Sequence, residues 1–261
     1  MFARLQTGLR IQRRVIGALM IRELVTRYGR ENIGFLWIMV EPLLFAVLVG
    51  VMWRAMKGPE DHGVSVIAFV ASGYIPITLF RHAVSRSVRV FTVNSSLMYH
   101  RQIKVLDFIT VRFLVELIGA MMAYFFIVLI LMQIGEFPVP DDLGKLLAGW
   151  FLYAFFCFSL CLILAPLSEK SDVLEKIIPV STYIMIPFSG TFNMNAWLTP
   201  EAQAVMWYSP FVHAMEMMRE GIFGQSVNAM YDWQMPFWTS VVCALIGLAM
   251  CRRVRRHLVV E

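Results

Sequence analysis

Charge is what this sequence has least of. Only 16% of its 261 residues are Asp, Glu, Lys or Arg, while 59% are hydrophobic. Soluble domains carry about 25% charged residues. One soluble core of this length could not hide so much apolar surface, whereas a bilayer replaces the missing polar exterior. Catalytic signatures are missing too. No Gly-x-x-x-x-Gly-Lys-Ser/Thr occurs, which excludes a P-loop ATPase within the chain, and neither His-Glu-x-x-His nor Gly-x-Ser-x-Gly is present. The four cysteines have no Cys-x-x-Cys spacing. Cys157 and Cys161 stand one helical turn apart and read as small apolar residues. The five histidines are scattered. The sequence therefore predicts no catalytic residues and no metal site. The early apolar stretch, residues 15–21, is short, ends at Arg22 and lacks a small-residue cleavage site, so no cleavable signal is expected.

What is present is a series of apolar runs. A hydrocarbon core of about 30 Å needs roughly 20 helical residues. That ruler predicts six spans, at residues 33–53, 64–80, 108–134, 146–167, 173–192 and 235–251. The net charge of +5 does not point to nucleic acid, because the basic residues cluster at the ends of the runs. With the N-terminus inside, nineteen of the 23 Lys and Arg residues fall on the cytoplasmic side. That bias predicts both termini in the cytoplasm. It also places the sequon Asn94-Ser95-Ser96 there, out of reach of glycosylation.

Three segments do not fit the spans. In residues 1–32, Leu5, Leu9, Ile16, Met20 and Leu24 recur at helical spacing, and Arg10, Arg13, Arg14 and Arg22 can take the other side. This predicts an amphipathic helix in the inner headgroup plane. A cytoplasmic stretch at about 86–107 is too polar to span and too long for a simple turn. The outer segment at about 193–234 is rich in apolar and aromatic residues, and Pro200 and Pro210 divide it into pieces too short to cross. Re-entrant or interfacial helices are expected there. Among ionisable residues within spans, Glu41, followed by Pro42, should face a protein interior or a wet cavity, either as a paired carboxylate of the bundle or as part of a pathway. Arg112 and Glu116, four apart, are expected to form a helix-surface ion pair. Pro179 and Pro187 predict a kinked fifth span.

Three stretches, in order and at consistent depth, resemble the membrane subunit of type-2 ABC exporters, and in particular the permeases of bacterial capsular polysaccharide export. The first is Arg22-Glu23-Leu24 through Arg27-Tyr28, with Gly34-Phe35-Leu36-Trp37 and Glu41-Pro42-Leu43-Leu44. The second is Asn94-Ser95-Ser96-Leu97 with Arg101-Gln102-Ile103-Lys104 and Asp107. The third is Ser189-Gly190, Pro200 and Ser209-Pro210-x-x-His213-x-x-Glu216-x-x-Arg219. Where the family commonly has Pro two residues before the Asp of the second stretch, this chain has Val105.

The resemblance implies an all-α integral membrane fold, with an interfacial helix at 1–32 and a six-helix transmembrane domain at 33–261. It implies a homodimer in the bacterial inner membrane, joined by two copies of a cytoplasmic ABC ATPase. ATP and Mg would belong to that partner, with no cofactor in this chain. The ATPase-coupling residues would be Asn94, Leu97, Tyr99, His100, Arg101, Gln102 and Lys104. A polysaccharide pathway would draw on Phe35, Trp37, Glu41, Phe45, Tyr183 and Phe188, because sugar faces are apolar. His213, Glu216 and Arg219 mark the outer re-entrant segment. A periplasmic adaptor or outer-membrane export protein is expected against residues 193–231. Export of O-antigen or teichoic acid is the close rival. A membrane-embedded enzyme of polysaccharide assembly is the distant one, with Glu201, His213, Glu216 and Glu220 as its loose candidate cluster.

The charge asymmetry makes a direct prediction. A cysteine introduced as Asp61→Cys should react with a membrane-impermeant maleimide on intact cells. One introduced as Lys170→Cys should react only after the inner membrane is opened. The reverse pattern would overturn the orientation.

Overall fold

The computed structural model describes residues 2–29, 32–98 and 102–258, with side chains for all of these except 2–5, 7, 28, 32–38 and 255–258. The described helices are α1 (Phe2–Tyr28), α2 (Asn32–Lys57), α3 (Val66–Ser87), α4 (Val90–Val93), α5 (Val105–Gln133), α6 (Leu143–Ser168), α7 (Asp172–Ile184), α8 (Pro200–Met206), α9 (Pro210–Phe223) and α10 (Gln234–Leu258). Pro200 and Pro210 occupy the first helical positions of α8 and α9, where the missing N–H costs nothing. The all-α expectation needs one small correction. A two-residue antiparallel hairpin, β1 (Glu60–Asp61) with β2 (Val64–Ser65), caps the α2–α3 connection. His62 and Gly63 both adopt positive φ, 53° and 77°, which is the twist that a tight hairpin turn requires.

Among the described residues, five helices are long and apolar enough to cross a membrane: α2, α3, α5, α6 and α10. The expected fifth span at 173–192 is not one continuous helix. α7 has 13 residues, or roughly 20 Å at the helical rise. It tolerates Pro179, then stops ahead of Pro187, which begins a 3₁₀ turn ending at Gly190. Gly190 has a φ of 72°, a left-handed conformation that breaks the helix where a side chain would be strained.

α3 is the centre of the bundle. Within its apolar stretch 78% of residues are buried, against 17% for α2 and 22% for α10. Its neighbours are α2, α5, α6 and α7, while α9 is wedged against α6 and α10. Glycine permits that wedge. A Cβ on Gly221 would lie 2.4 Å from the Leu146 nitrogen and 2.8 Å from the Asp142 oxygen, and one on Gly149 would lie 2.7 Å from the Met218 nitrogen. The α9 and α6 backbones therefore meet without side chains between them.

α1 docks by the face its apolar spacing suggests, with Ile16 and Met20 packed against the core and Arg10, Arg13 and Arg14 exposed, except near its start. Leu9 is left 68% exposed, while Leu19 and Glu23 are buried and Gln12, Ile16 and Arg27 half-buried. The stripe at 12, 16, 19, 23 and 27 is partly polar, because its partner α5 offers carboxylates and arginines. The expected Arg112–Glu116 pair on α5 is replaced by two bridges to α1. Arg27 pairs with Glu116 and with Glu23, and Arg112 Nε lies 3.4 Å from Glu23. His82 and Arg86 of α3 add contacts to Glu116 at 3.7 and 3.9 Å.

The close approach of α9 to α6 predicts that Gly221→Val lowers the melting temperature in detergent, at a cost of about 1–3 kcal/mol from overpacking. Gly8→Ala, at a helical position with nothing within 4 Å of the added carbon, should leave it unchanged or slightly raised.

Candidate functional site

The inner loops form one folded unit. Arg89, in a left-handed conformation, opens α4, and Asn94 closes it before a 3₁₀ turn over Ser95–Leu97. The carboxylate of Glu169, from the loop after α6, accepts the Phe91 and Thr92 N–H groups at 3.0 and 3.2 Å and so caps α4 from outside. Ser168 Oγ accepts the Arg89 N–H at 3.0 Å, and the Arg89 guanidinium bridges Asp172 and Glu175 at the start of α7. The expected coupling segment is thus welded to the connection between α6 and α7. That partnership had no sequence signal beyond the charges of residues 168–176.

Among the expected coupling residues, Asn94 is buried and works inward. Its amide donates to the Val90 carbonyl at 2.8 Å and accepts from Arg22 of α1. Leu97 is half-buried, and Gln102 and Lys104 are exposed. Tyr99, His100 and Arg101 lie outside the described residues. Val93, which the sequence reading passed over, is 67% exposed beside exposed Thr92, Ser95 and Ser96, so the outward surface includes an apolar tip. Val105 takes the first position of α5, where proline would also fit. The turn is held by Asp107, which accepts the Lys104 N–H at 2.8 Å and bonds Gln12 of α1. The departure from the family pattern therefore leaves the start of the helix intact.

The expected pathway residues fall on the outside of the single chain. Glu41 is exposed, and Phe45, Tyr183 and Phe188 are 50%, 58% and 43% exposed. Glu41 makes no ion pair among the described residues, which removes the reading of a carboxylate paired inside its own bundle. Phe35 and Trp37 belong to α2, but their side chains lie outside the described residues. α2 and α7 both pack on α3, and Phe188 lines an open apolar cavity with Phe80 and Val84 of α3 and Phe156, Leu160 and Leu164 of α6.

In the outer segment, His213, Glu216 and Arg219 come from successive turns of α9, and each serves backbone. Arg219 is fully buried. It donates to the Gly190 and Asn193 carbonyls at 2.6 and 3.3 Å, to the Thr191 carbonyl, and to Ser72 Oγ at 3.2 Å, with its guanidinium 3.8 Å above the Phe69 ring. A Cβ on Gly73 would collide with the same guanidinium and with the Thr191 oxygen. Glu216 accepts the Asn195 N–H at 2.6 Å on one oxygen and the Met230 N–H at 2.7 Å on the other. His213 Nδ1 accepts the Asp232 N–H at 3.0 Å, so Nε2 carries the proton and donates to the Trp207 carbonyl at 2.8 Å. These three side chains close the irregular backbone on both sides of α9.

Glu220, the remaining acid of α9, bonds Lys145 at 3.0 Å and the Tyr231 hydroxyl at 2.6 Å. Nearby, the β-hairpin is pinned by His62 stacked on Trp197 at 4.3 Å. Glu136 follows α5 and bonds Arg54 and Ser65, which hold its carboxyl below the usual range.

Glu216 and His213 are committed to backbone groups, and Glu220 to Lys145 and Tyr231, which argues against the membrane-enzyme reading. Arg219→Met should strand several buried carbonyls at about 1–3 kcal/mol each, abolishing accumulation of folded protein. Glu216→Gln presents an amide N–H to a backbone donor. It should lower the melting temperature while residual activity tracks the amount of folded protein. A folded, fully stable Glu216→Gln protein without activity would restore the enzyme reading.

The sequence comparisons agree with this architecture. The profile of the ABC-2 type transporter family matches residues 14–223. The chain is 39% identical over 247 residues to the capsule polysaccharide export inner-membrane protein CtrC of Neisseria meningitidis serogroup B, covering 93% of this chain and 92% of that protein. It is 38% identical to the capsule polysaccharide export inner-membrane protein BexB of Haemophilus influenzae, covering 94% and 92%. Similarity extends to the polysialic acid transport protein KpsM of Escherichia coli, at 25% identity over 95% and 96%. With the profile covering most of its length and such relatives matching end to end, the chain belongs to the ABC-2 type transporter membrane family.

Proposed function

We propose that this chain is the permease subunit of an ATP-driven exporter that moves capsular polysaccharide across the bacterial inner membrane. Support comes from membership in the ABC-2 family together with relatives named for capsule polysaccharide export. Two copies would pair, with both termini cytoplasmic and two separate ATPases bound beneath. ATP and Mg would sit on those partners.

The observation that carries the paired arrangement is the exposure of Glu41 on α2, a helix that is mostly uncovered in the single chain. A carboxylate facing lipid at helix depth costs about 2.5–3.5 kcal/mol on insertion scales. A second copy or a wet pathway removes that cost. Phe45, Tyr183 and Phe188 would then line the route, offering aromatic faces to the apolar faces of sugars. The half-span formed by α7, together with α8 and α9, supports a reading of six membrane segments with short re-entrant outer helices. Irregular backbone is tolerated at such depth only when protein groups satisfy it, as Arg219 and Glu216 do here. The outer segment is also where a periplasmic adaptor would dock.

The inner unit suits a mechanical role. A push on α4 from a closing ATPase pair would travel through Glu169 and Arg89 to α7, and through Arg22 and Gln12 to α1. These bonds make the two loops and the interfacial helix move as one body, in keeping with a rigid two-state switch.

Purification of the tagged chain from native membranes in mild detergent tests the reading. A P-loop ATPase in equal amount should accompany it. The Leu97→Asp, Arg101→Asp double variant should lose that partner and its ATP hydrolysis, and polymer should accumulate inside the cell. A chain that purifies alone, from cells in which export proceeds normally without it, would sink the proposal.

A further inference from the structure

α7 is tied at both ends and open along one side. At its start, Ser171 Oγ accepts the Val173 N–H at 3.2 Å, and Asp172 and Glu175 both receive the guanidinium of Arg89, the residue that opens α4. At its far end the chain turns through Pro187–Ser189, and two bonds fix that corner to the start and middle of α9. Ser209 Oγ donates to the Phe188 carbonyl at 2.7 Å, and Arg219 donates to the Gly190 carbonyl at 2.6 Å. The α3 side of α7 is braced by Arg81, whose guanidinium lies 4.0 Å from the centroid of the Tyr183 ring. The α6 side is packed only in part. An open apolar cavity of about 390 Å³ is lined there by Ser181 and Met185, by Leu160 and Leu164 of α6, and by Tyr208 and Ser209 of the α8–α9 turn.

A helix fixed at its ends passes on a displacement only if it has room to tilt or bend. A close-packed interior gives no such room. The cavity beside α7 does. Pro179 adds a preferred place for the bend, because it has no N–H for the Glu175 carbonyl one turn earlier. α9 has neither freedom. Its backbone meets that of α6 at Gly149 and Gly221, where even a Cβ would collide. A displacement of α7 is therefore resisted by the body of α9 and falls on the turn before it. That turn carries Tyr208, which is 80% exposed, and Val205, which is 59% exposed, so little packing holds it in place.

We propose that α7 is a connecting rod: the bridge from Arg89 to Asp172 and Glu175 drives it, and the hydrogen bond from Ser209 to the Phe188 carbonyl passes its displacement to the α8–α9 turn. The turn has two positions, and the nucleotide held by the partner ATPase selects between them. Arg89 and Ser209 are positioning residues that act through α7. The rod rests on the reading of this chain as an exporter permease, which supplies the ATPase.

The test places an environment-sensitive bimane fluorophore on Tyr208→Cys, with Cys243→Ser removing the one native thiol that is not buried. The labelled chain is purified with its ATPase, and its emission is compared in Mg-ADP and in a non-hydrolysable Mg-ATP analogue. The emission maximum should shift between the two nucleotides. Arg89→Glu should abolish the shift, and Arg89→Glu combined with Glu175→Arg should restore it, because the bridge is rebuilt with its charges exchanged. Ser209→Ala should also lose the shift while the ATPase stays bound and hydrolysing, and Ser209→Thr, which keeps the hydroxyl, should retain it. Restoration by the exchanged pair is not expected of a bridge that only stabilises the fold against a passive turn. Identical emission in both nucleotides, in a labelled chain whose ATPase is bound and hydrolysing, would overturn the rod and leave the exporter reading intact. So would an undiminished shift in Arg89→Glu or in Ser209→Ala, or an exchanged pair that restores nothing. A chain that carries no ATPase would remove both the rod and the exporter reading.

Discussion

An apolar bundle cannot tolerate a free carbonyl, and in this protein Arg219 meets that constraint. Between Gly190 and Asn193 the backbone leaves the helix, and the guanidinium collects the carbonyl oxygens that no helical N–H can reach. Gly73 on α3 has no side chain, which is what lets the arginine approach, and Phe69 covers its face. Glu216 performs the complementary task for two N–H donors. Without this exchange of partners, α7 could not stop half-way and α9 could not be buried beside α6.

The opposite end of the bundle is organised by the same logic with other materials. There the backbone ends are exposed to charges, so Glu169 caps α4 and Asp107 holds the start of α5. Glu116, nearly inaccessible, draws Arg27 from α1 and faces His82 and Arg86. Breaking one member of such a buried set strands the others, which is costlier than the set is stabilising. α1 is therefore bound to the bundle and not merely floating beside it. A force applied to the inner loops has stiff connections to follow.

Between these two locks lies a face that the single chain leaves open. α2 and α10 are largely uncovered, as expected of helices that meet lipid or a second copy.

Much was legible in the order of residues alone. Composition and run length identified the membrane class, five of the spanning helices and the division of the outer segment at Pro200 and Pro210, because burial in lipid depends on local hydrophobicity and length. The family resemblance also singled out His213, Glu216 and Arg219. Their work was not readable, since their partners at Ser72, Gly190, Asn195, Met230 and Asp232 are distant or irregular backbone with no side-chain signature. The pairing of Arg112 was misplaced for a related reason. Helical spacing names the neighbours within a helix, but a carboxylate on another helix at the right depth wins when it buries the pair. Sequence by itself determined that this chain lives in a membrane and which segments can cross it. Only the tertiary structure decided which charges meet, because ion pairs and backbone hydrogen bonds depend on distances that packing alone sets.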